Sequence, residues 1–92
     1  MRWPWQRDKE MRGGNAAAVT WEQAFDAYVQ CYVAVLGMIT PVMFSLLQIN
    51  LQGRSPAEIM RAIQKIKRAA ASGKDKSGLA SMFMKFANGE EI

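Results

Sequence analysis

The residues of this sequence whose chemistry is clearest are basic side chains between positions 54 and 68. They are Arg54, Arg61, Lys65, Lys67 and Arg68. Because Arg61, Lys65 and Arg68 are spaced by four and three, a helix would carry them on one face. Such cations attract anionic headgroups by about 1 kcal/mol each near a membrane, and they bind nucleic-acid phosphates by releasing counterions. The pattern predicts a site for an acidic surface, either lipid headgroups or phosphate, with no base-reading motif to make nucleic-acid binding specific.

Enzymatic chemistry has few candidate residues in this chain. The 92 residues include no histidine and one cysteine, which excludes Ser-His-Asp and Cys-His catalysis and argues against zinc, haem and iron–sulfur sites. The carboxylates of Glu22 and Asp26 are four residues apart, but at a helix start their simpler role is to offset the helix dipole. We therefore predict a non-enzymatic protein with no catalytic residue, metal ligand, cofactor or small-molecule substrate.

The middle of the chain carries no charged residue from Ala27 through Gly53, although the whole chain has twelve Lys and Arg against eight Asp and Glu. A bilayer core needs about 20 largely apolar residues, and the segment 29–47 meets that length. One interpretation is therefore a membrane-inserted helix. The alternatives are the core of a soluble oligomer, and a helical hairpin broken at Pro41 that only dips into lipid.

A narrow stripe of small and weakly polar residues runs through this apolar segment. Its members are Gln30, Ala34, Gly37, Pro41, Ser45 and Gln48. In lipid such a stripe is a helix-packing face, whereas in water it is the solvent-facing edge of a nearly buried helix. Both interpretations predict a homo-oligomer or a larger protein assembly, since we expect the apolar surface of this helix to be too wide for the rest of the chain to cover.

The C-terminal residues form a second apolar pattern. Leu79, Met82, Phe83 and Phe86 follow one another at intervals of three, one and three, as on one side of a short helix. This face predicts either ordinary core packing or a partner-binding helix that lies in another protein's groove.

These patterns together predict an all-α fold. Thr20 with Gln23 and Ser55 with Glu58 form capping boxes that begin helices. The first helix is long and hydrophobic, with a kink near Pro41 or a break into helices of about 21–38 and 42–52. A basic amphipathic helix over 56–71 and a short amphipathic helix over 78–87 follow.

The chain accordingly divides into three segments. Residues 1–19 form a basic, aromatic arm, which we expect to be flexible and to use Trp3 and Trp5 as an interface anchor. Residues 20–53 form the hydrophobic helix, and residues 54–92 form the basic helical segment.

The function that fits this architecture is a small structural or accessory subunit of a virion, a secretion apparatus or a membrane complex. It would self-associate through the hydrophobic helix and present the basic helix to an acidic surface. The location would then be a membrane, or the cytoplasm if the helix is an oligomer core. Two alternatives are a soluble interaction module, an inhibitor or scaffold acting through the Met/Phe-rich helix, and a nucleic-acid-packaging assembly subunit.

Overall fold

The computed structural model describes residues 19–92, and every regular element in that range is helical. The four α-helices are α1 (Trp21–Leu36), α2 (Pro41–Asn50), α3 (Pro56–Ala71) and α4 (Lys76–Ala87), with a 3-10 turn at Leu51–Gly53. The predicted all-α fold is confirmed for this range. The predictions for the N-terminal arm, including the anchoring role of Trp3 and Trp5, lie outside the described residues.

Two of the helices begin with the capping boxes that the sequence indicates. At the start of α1, the backbone N–H of Gln23 donates to the Thr20 hydroxyl oxygen (3.2 Å). In return, the side-chain oxygen of Gln23 accepts from the backbone N–H of Thr20 (3.1 Å). Ser55 and Glu58 make the same reciprocal pair at the start of α3. Each box satisfies two backbone donors that a helix terminus leaves without internal acceptors, so local chemistry sets both starting points.

The hydrophobic segment is divided into two helices. The prediction of one long kinked helix is therefore corrected, and the predicted alternative of a break near Pro41 agrees with α1 and α2. Gly37 adopts a left-handed backbone with φ of 98° and ends α1, and its amide donates to the Val33 carbonyl (2.8 Å). Thr40 then caps a new helix whose first residue is Pro41. Proline is favoured at this position because its missing N–H would have no helical acceptor there.

The break also bears on the predicted membrane span. The apolar segment 29–47 is shared between α1, which has 16 residues, and α2, which has 10. Within residues 19–92, no helix combines the length and the apolar character needed to cross a membrane. The prediction of a membrane-spanning helix is therefore corrected for this range.

The hydrophobic core lies where α1, α3 and α4 meet. The buried residues of these three helices are Ala24, Phe25, Tyr28, Cys31, Ile59, Ala62, Ile63, Ile66, Leu79, Phe83, Phe86 and Ala87. Tyr28 is fully buried, and its ring lies edge-on to the Phe83 ring with 5.3 Å between centroids. Its hydroxyl donates to the Phe83 carbonyl oxygen (2.7 Å), which gives a buried polar group the partner it needs. Burial raises the pKa of Tyr28, so the hydroxyl keeps its proton for this bond.

Helix α2 is attached to the core along one side only. Leu47 and Leu51 are buried. The Trp21 indole N–H donates to the Leu51 carbonyl oxygen (2.8 Å), and the Phe25 and Phe44 rings meet edge to face at 5.3 Å between centroids. These contacts place the end of α2 beside the start of α1, so the chain turns back between the two helices.

Cys31 lies in the core on the side of α1 that faces α3. It is buried, and this burial raises the pKa of its thiol, while the nearby charge of Lys67 lowers it by a smaller amount. The thiol therefore remains protonated at neutral pH and packs as a small apolar group.

The buried tyrosine gives a first test of this core. In Tyr28→Phe the hydroxyl is lost while the ring remains, so we expect the free energy of unfolding to fall by about 0.5–1.5 kcal/mol. The thermal midpoint should fall by several degrees, since about 1 kcal/mol corresponds to about 4–8 °C in a chain of this size. Urea and thermal unfolding followed by circular dichroism measure both quantities.

Tyr32→Phe is the matched control for this variant. The Tyr32 ring contacts Phe83 at 5.0 Å between centroids, but within residues 19–92 its hydroxyl makes no hydrogen bond. An equal loss of stability in the two variants would contradict the role assigned to the Tyr28 hydroxyl.

Candidate functional site

Helix α3 separates its apolar and basic side chains onto different faces. Ile59, Ile63 and Ile66 are buried against the other helices. The four cations Arg61, Lys65, Lys67 and Arg68 are exposed. Three of them, at positions 61, 65 and 68, lie opposite the isoleucines by helical spacing, and Lys67 lies on the flank near Cys31. We call these four residues the cationic face.

Arg54 belongs to the same predicted set, but the structure gives it different surroundings. Its side chain is only 17% exposed, and its guanidinium lies 4.2 Å from the centroid of the Phe86 ring. One terminal nitrogen donates to Glu58 Oε2 (3.0 Å), and the other donates to the carbonyl oxygens of Phe86 (3.0 Å) and Glu90 (2.9 Å). Arg54 therefore ties the start of α3 to the end of α4.

The ion pair between Arg54 and Glu58 affects the pKa of the Glu58 carboxyl group. The bond from Arg54 is the main cause that lowers the pKa of Glu58, and the bonds from the Ser55 amide and hydroxyl contribute further. A carboxylate that accepts charged and backbone donors prefers its ionised form. The Arg54–Glu58 pair is thus held in its charged state at neutral pH.

A small cleft of about 150 Å³ lies between α3 and the segment after α4. Its lining consists of Arg54, Glu58, Arg61, Ala62, Lys65, Phe86, Glu90, Glu91 and Ile92. The Lys65 ammonium donates to the Ile92 carbonyl oxygen (3.1 Å). The cleft therefore brings acidic residues of the C-terminal segment to one end of the cationic face. Sequence reasoning missed this neighbourhood, because nothing local links positions 61 and 65 to positions 90 and 91.

The residues predicted to bind a partner through α4 are mostly part of the core. Leu79, Phe83 and Phe86 are buried, and Met82 is half-buried and packs against the same core. Tyr28 of α1 contacts both phenylalanine rings. The chain's own first helix thus covers the apolar side of α4.

All six residues of the small and polar stripe are exposed in the described chain. On α1, the Gln30 side chain donates to the Asp26 carboxylate (2.8 Å), as expected for a solvated helix surface. On α2, Pro41 and Ser45 border a shallow open groove that is otherwise lined by Val42, Leu46 and Ile49.

This groove belongs to an apolar surface that sequence reasoning did not single out. Val42, Leu46 and Ile49 are spaced by four and three, so they share a helix face. The side chains of Val42 and Ile49 are 74% and 67% exposed, and Met38 just before the helix is 71% exposed. We call Met38, Val42, Leu46 and Ile49 the apolar face of α2. The helical spacing of these residues could have indicated a shared face. Because almost the whole segment is apolar, however, the sequence did not show which side of α2 the core would leave exposed.

No group of three or more His, Cys, Asp or Glu residues in the described range 19–92 is arranged to hold a metal ion. The two surfaces offer two kinds of attraction: screened electrostatic attraction from the cationic face, and burial of apolar area from α2.

The structural role of Arg54 can be tested with Arg54→Met, which keeps an apolar stem over Phe86 and removes the guanidinium. Losing the bonds to two carbonyl oxygens should lower the free energy of unfolding by about 1.5–3 kcal/mol at neutral pH. The pKa of Glu58 should rise toward its ordinary value of 4.5. Because a lowered folded-state pKa stabilises the fold above pH 4.5, and this stabilisation is lost as the pH falls through the lowered value, the two proteins should differ less in acid.

Urea unfolding between pH 3 and pH 7 and NMR titration of Glu58 supply these measurements. Arg68→Met is the matched control, since Arg68 is exposed on the same helix. An unchanged pKa of Glu58 in Arg54→Met would show that the pair does not form in solution.

Comparison with known proteins adds no further guide to the site, because no protein-family model, no curated protein and no solved structure matches this chain.

Proposed function

We propose that this chain is a small non-enzymatic helical protein that binds an anionic phospholipid surface. In this proposal the cationic face of α3 contacts the headgroups, and the apolar face of α2 enters the interfacial layer without spanning the bilayer. The observation that carries the proposal is the combination of an exposed cationic helix face and an exposed, uncharged apolar helix in one small fold. Binding at a membrane surface draws on the same two contributions, which are buried apolar area and the attraction of basic residues to anionic lipid.

The electrostatic part of the binding comes from four exposed cations. At about 1 kcal/mol for each cation near an anionic membrane, they supply about 4 kcal/mol. That energy alone corresponds to weak binding, roughly millimolar. The cationic face therefore needs a second contribution for a useful affinity.

The apolar face of α2 supplies that contribution. Full burial of an exposed Val, Ile or Met side chain is worth about 1.5–3 kcal/mol. Because Met38, Val42 and Ile49 are about 70% exposed, their insertion would add about 3–6 kcal/mol by the same measure. The two contributions are of similar size, so binding should depend on both.

A lipid surface fits α2 better than a second copy of the chain. The burial energies above correspond to about 60–120 Å² for each side chain. At the exposed fractions of its residues, the apolar face of α2 therefore offers about 150–300 Å². A stable protein–protein interface needs about 800 Å² from each partner. Lipid has no such minimum, and it also accounts for the cationic face.

The same reasoning favours lipid over nucleic acid. Phosphates of a duplex would satisfy the cationic face through counterion release. They would leave the exposed apolar residues of α2 in water, because a phosphate backbone offers no apolar layer. A membrane-complex, secretion or virion accessory role is compatible with lipid binding and remains the wider setting of this proposal.

The cationic face is tested by vesicle co-sedimentation with Arg61→Gln/Lys65→Gln/Arg68→Gln. We expect the wild-type chain to bind vesicles that contain anionic lipid and to release them as salt rises. The triple variant should bind about 10- to 100-fold more weakly, since each of the three lost cations contributes at most about 1 kcal/mol. The control is Lys74→Gln/Lys76→Gln/Lys85→Gln, which removes the same charge from exposed positions outside the cationic face.

The outcomes of this experiment separate the candidate functions. Equal losses in the two triple variants would mean that net charge alone, and not the cationic face, is responsible. Tighter binding to duplex DNA than to vesicles at matched phosphate and salt would replace the lipid proposal with nucleic-acid packaging. A stable oligomer in light scattering without lipid would favour a second copy as the occupant of α2.

The apolar face is tested by Val42→Ser/Ile49→Ser. Vesicle affinity should fall by about 10- to 100-fold because apolar area no longer leaves water. Stability in urea should change little, since both side chains are mostly exposed. Ser45→Leu is the opposite change on the same groove and should strengthen vesicle binding. If the affinity is the same in all three proteins, α2 does not enter the interface.

A further inference from the structure

We infer that the acidic C-terminal segment Glu90–Ile92 is a built-in competitor for the cationic face of α3. It lies over one end of that face and lowers the affinity of the protein for anionic headgroups until an anionic surface displaces it. This inference rests on the proposed lipid function and adds a means of regulation to it. The evidence for it is the hydrogen bonds from Arg54 and Lys65 to the segment and the cleft that the segment shares with α3.

The turn that ends α4 directs the segment Glu90–Ile92 toward α3. Gly89 has a left-handed backbone with φ of 91°. Its amide donates to the Phe86 carbonyl (3.1 Å), and the Glu90 amide donates to the Lys85 carbonyl (2.9 Å). These two bonds form a Schellman motif, which reverses the chain at a helix end. The path of the segment is thus set by helix termination.

Two cations then hold the segment against α3. Arg54 donates to the Glu90 carbonyl oxygen, and Lys65 donates to the Ile92 carbonyl oxygen. Glu90 and Glu91 line the same cleft as Arg61 and Lys65. The two acidic residues therefore share the cleft with two cations that a headgroup phosphate would otherwise contact.

The cationic face is consequently divided into two parts. Arg61 and Lys65 line the cleft with the acidic segment, whereas the lining does not include Lys67 and Arg68, which lie further along α3. Acidic residues that share a cleft with a cation reduce the attraction that the cation exerts on a third charge. With the segment in place, Lys67 and Arg68 should contribute most of the headgroup attraction, and Arg61 and Lys65 should contribute after its displacement.

A double-mutant cycle on anionic vesicles tests this division. Glu90→Gln/Glu91→Gln neutralises the segment and should raise vesicle affinity by about fivefold or more, the equivalent of freeing at least one cation. Arg61→Gln/Lys65→Gln should then cost at least about five times more affinity in that background than in the wild-type chain. Lys67→Gln/Arg68→Gln should cost the same in both backgrounds.

A charge-matched control separates this competition from net charge. Glu22→Gln/Asp26→Asn removes two exposed carboxylates from α1. Because these carboxylates are outside the cleft, this variant should raise vesicle affinity by less than Glu90→Gln/Glu91→Gln does. Equal gains in affinity, or the same cost of Arg61→Gln/Lys65→Gln in both backgrounds, would overturn the proposal while leaving lipid binding intact.

A measurement without lipid keeps the inference testable if vesicle binding is absent. Steady-state ¹⁵N NOE values of Glu91 and Ile92 should be high at low salt, and they should fall in Arg61→Gln/Lys65→Gln or at high salt, because the contacts are electrostatic. Values already low in the wild-type chain at low salt would show that the segment does not occupy the cleft. High NOE values together with no vesicle binding would mean that the segment occupies the cleft but does not compete with lipid. The inferred competition for headgroups and the proposed lipid binding would then both be wrong.

Discussion

The backbone at Gly37, with its φ of 98°, is the constraint on which the arrangement of the apolar middle depends. It ends α1 and lets the chain turn back, so that the end of α2 lies beside the start of α1, where Trp21 donates a hydrogen bond to the Leu51 carbonyl oxygen. An uninterrupted helix over 21–50 would be about 45 Å long and would carry these later residues away from the core. The turn therefore allows α1 to bury one face against α3 and α4, and it leaves the outer side of α2 uncovered.

Local chemistry accounts for the parts of the fold that the sequence predicts well. Thr20 and Ser55 begin their helices because each side chain satisfies backbone donors within three residues. The isoleucines of α3 indicate its buried face because helical periodicity requires no knowledge of the partner. The cationic face follows from the same periodicity. These features depend only on residues that are neighbours in the chain.

The features that the sequence did not predict depend on residues far apart in the chain. The Tyr28 hydroxyl finds an acceptor 55 positions away, and Arg54 reaches the Glu90 carbonyl 36 positions away. Arg54 looks like its neighbours in composition, yet it stabilises the junction of α3 and α4. For the segment 29–47, the sequence left a kinked helix and a break near Pro41 as alternatives, because hydropathy does not record how Gly37 orients the chain on either side of it. Charge and hydropathy thus indicated which residues could bind, and packing decided which of them remain exposed.

The burial of Cys31 has a consequence for the redox behaviour of the protein. As the sole sulfhydryl of the chain, it sits in the core with its proton retained. Oxidants and alkylating reagents can reach it only through transient opening of the core. Covalent dimers linked by sulfur therefore require partial unfolding, and the folded chain should behave alike in reducing and oxidising surroundings.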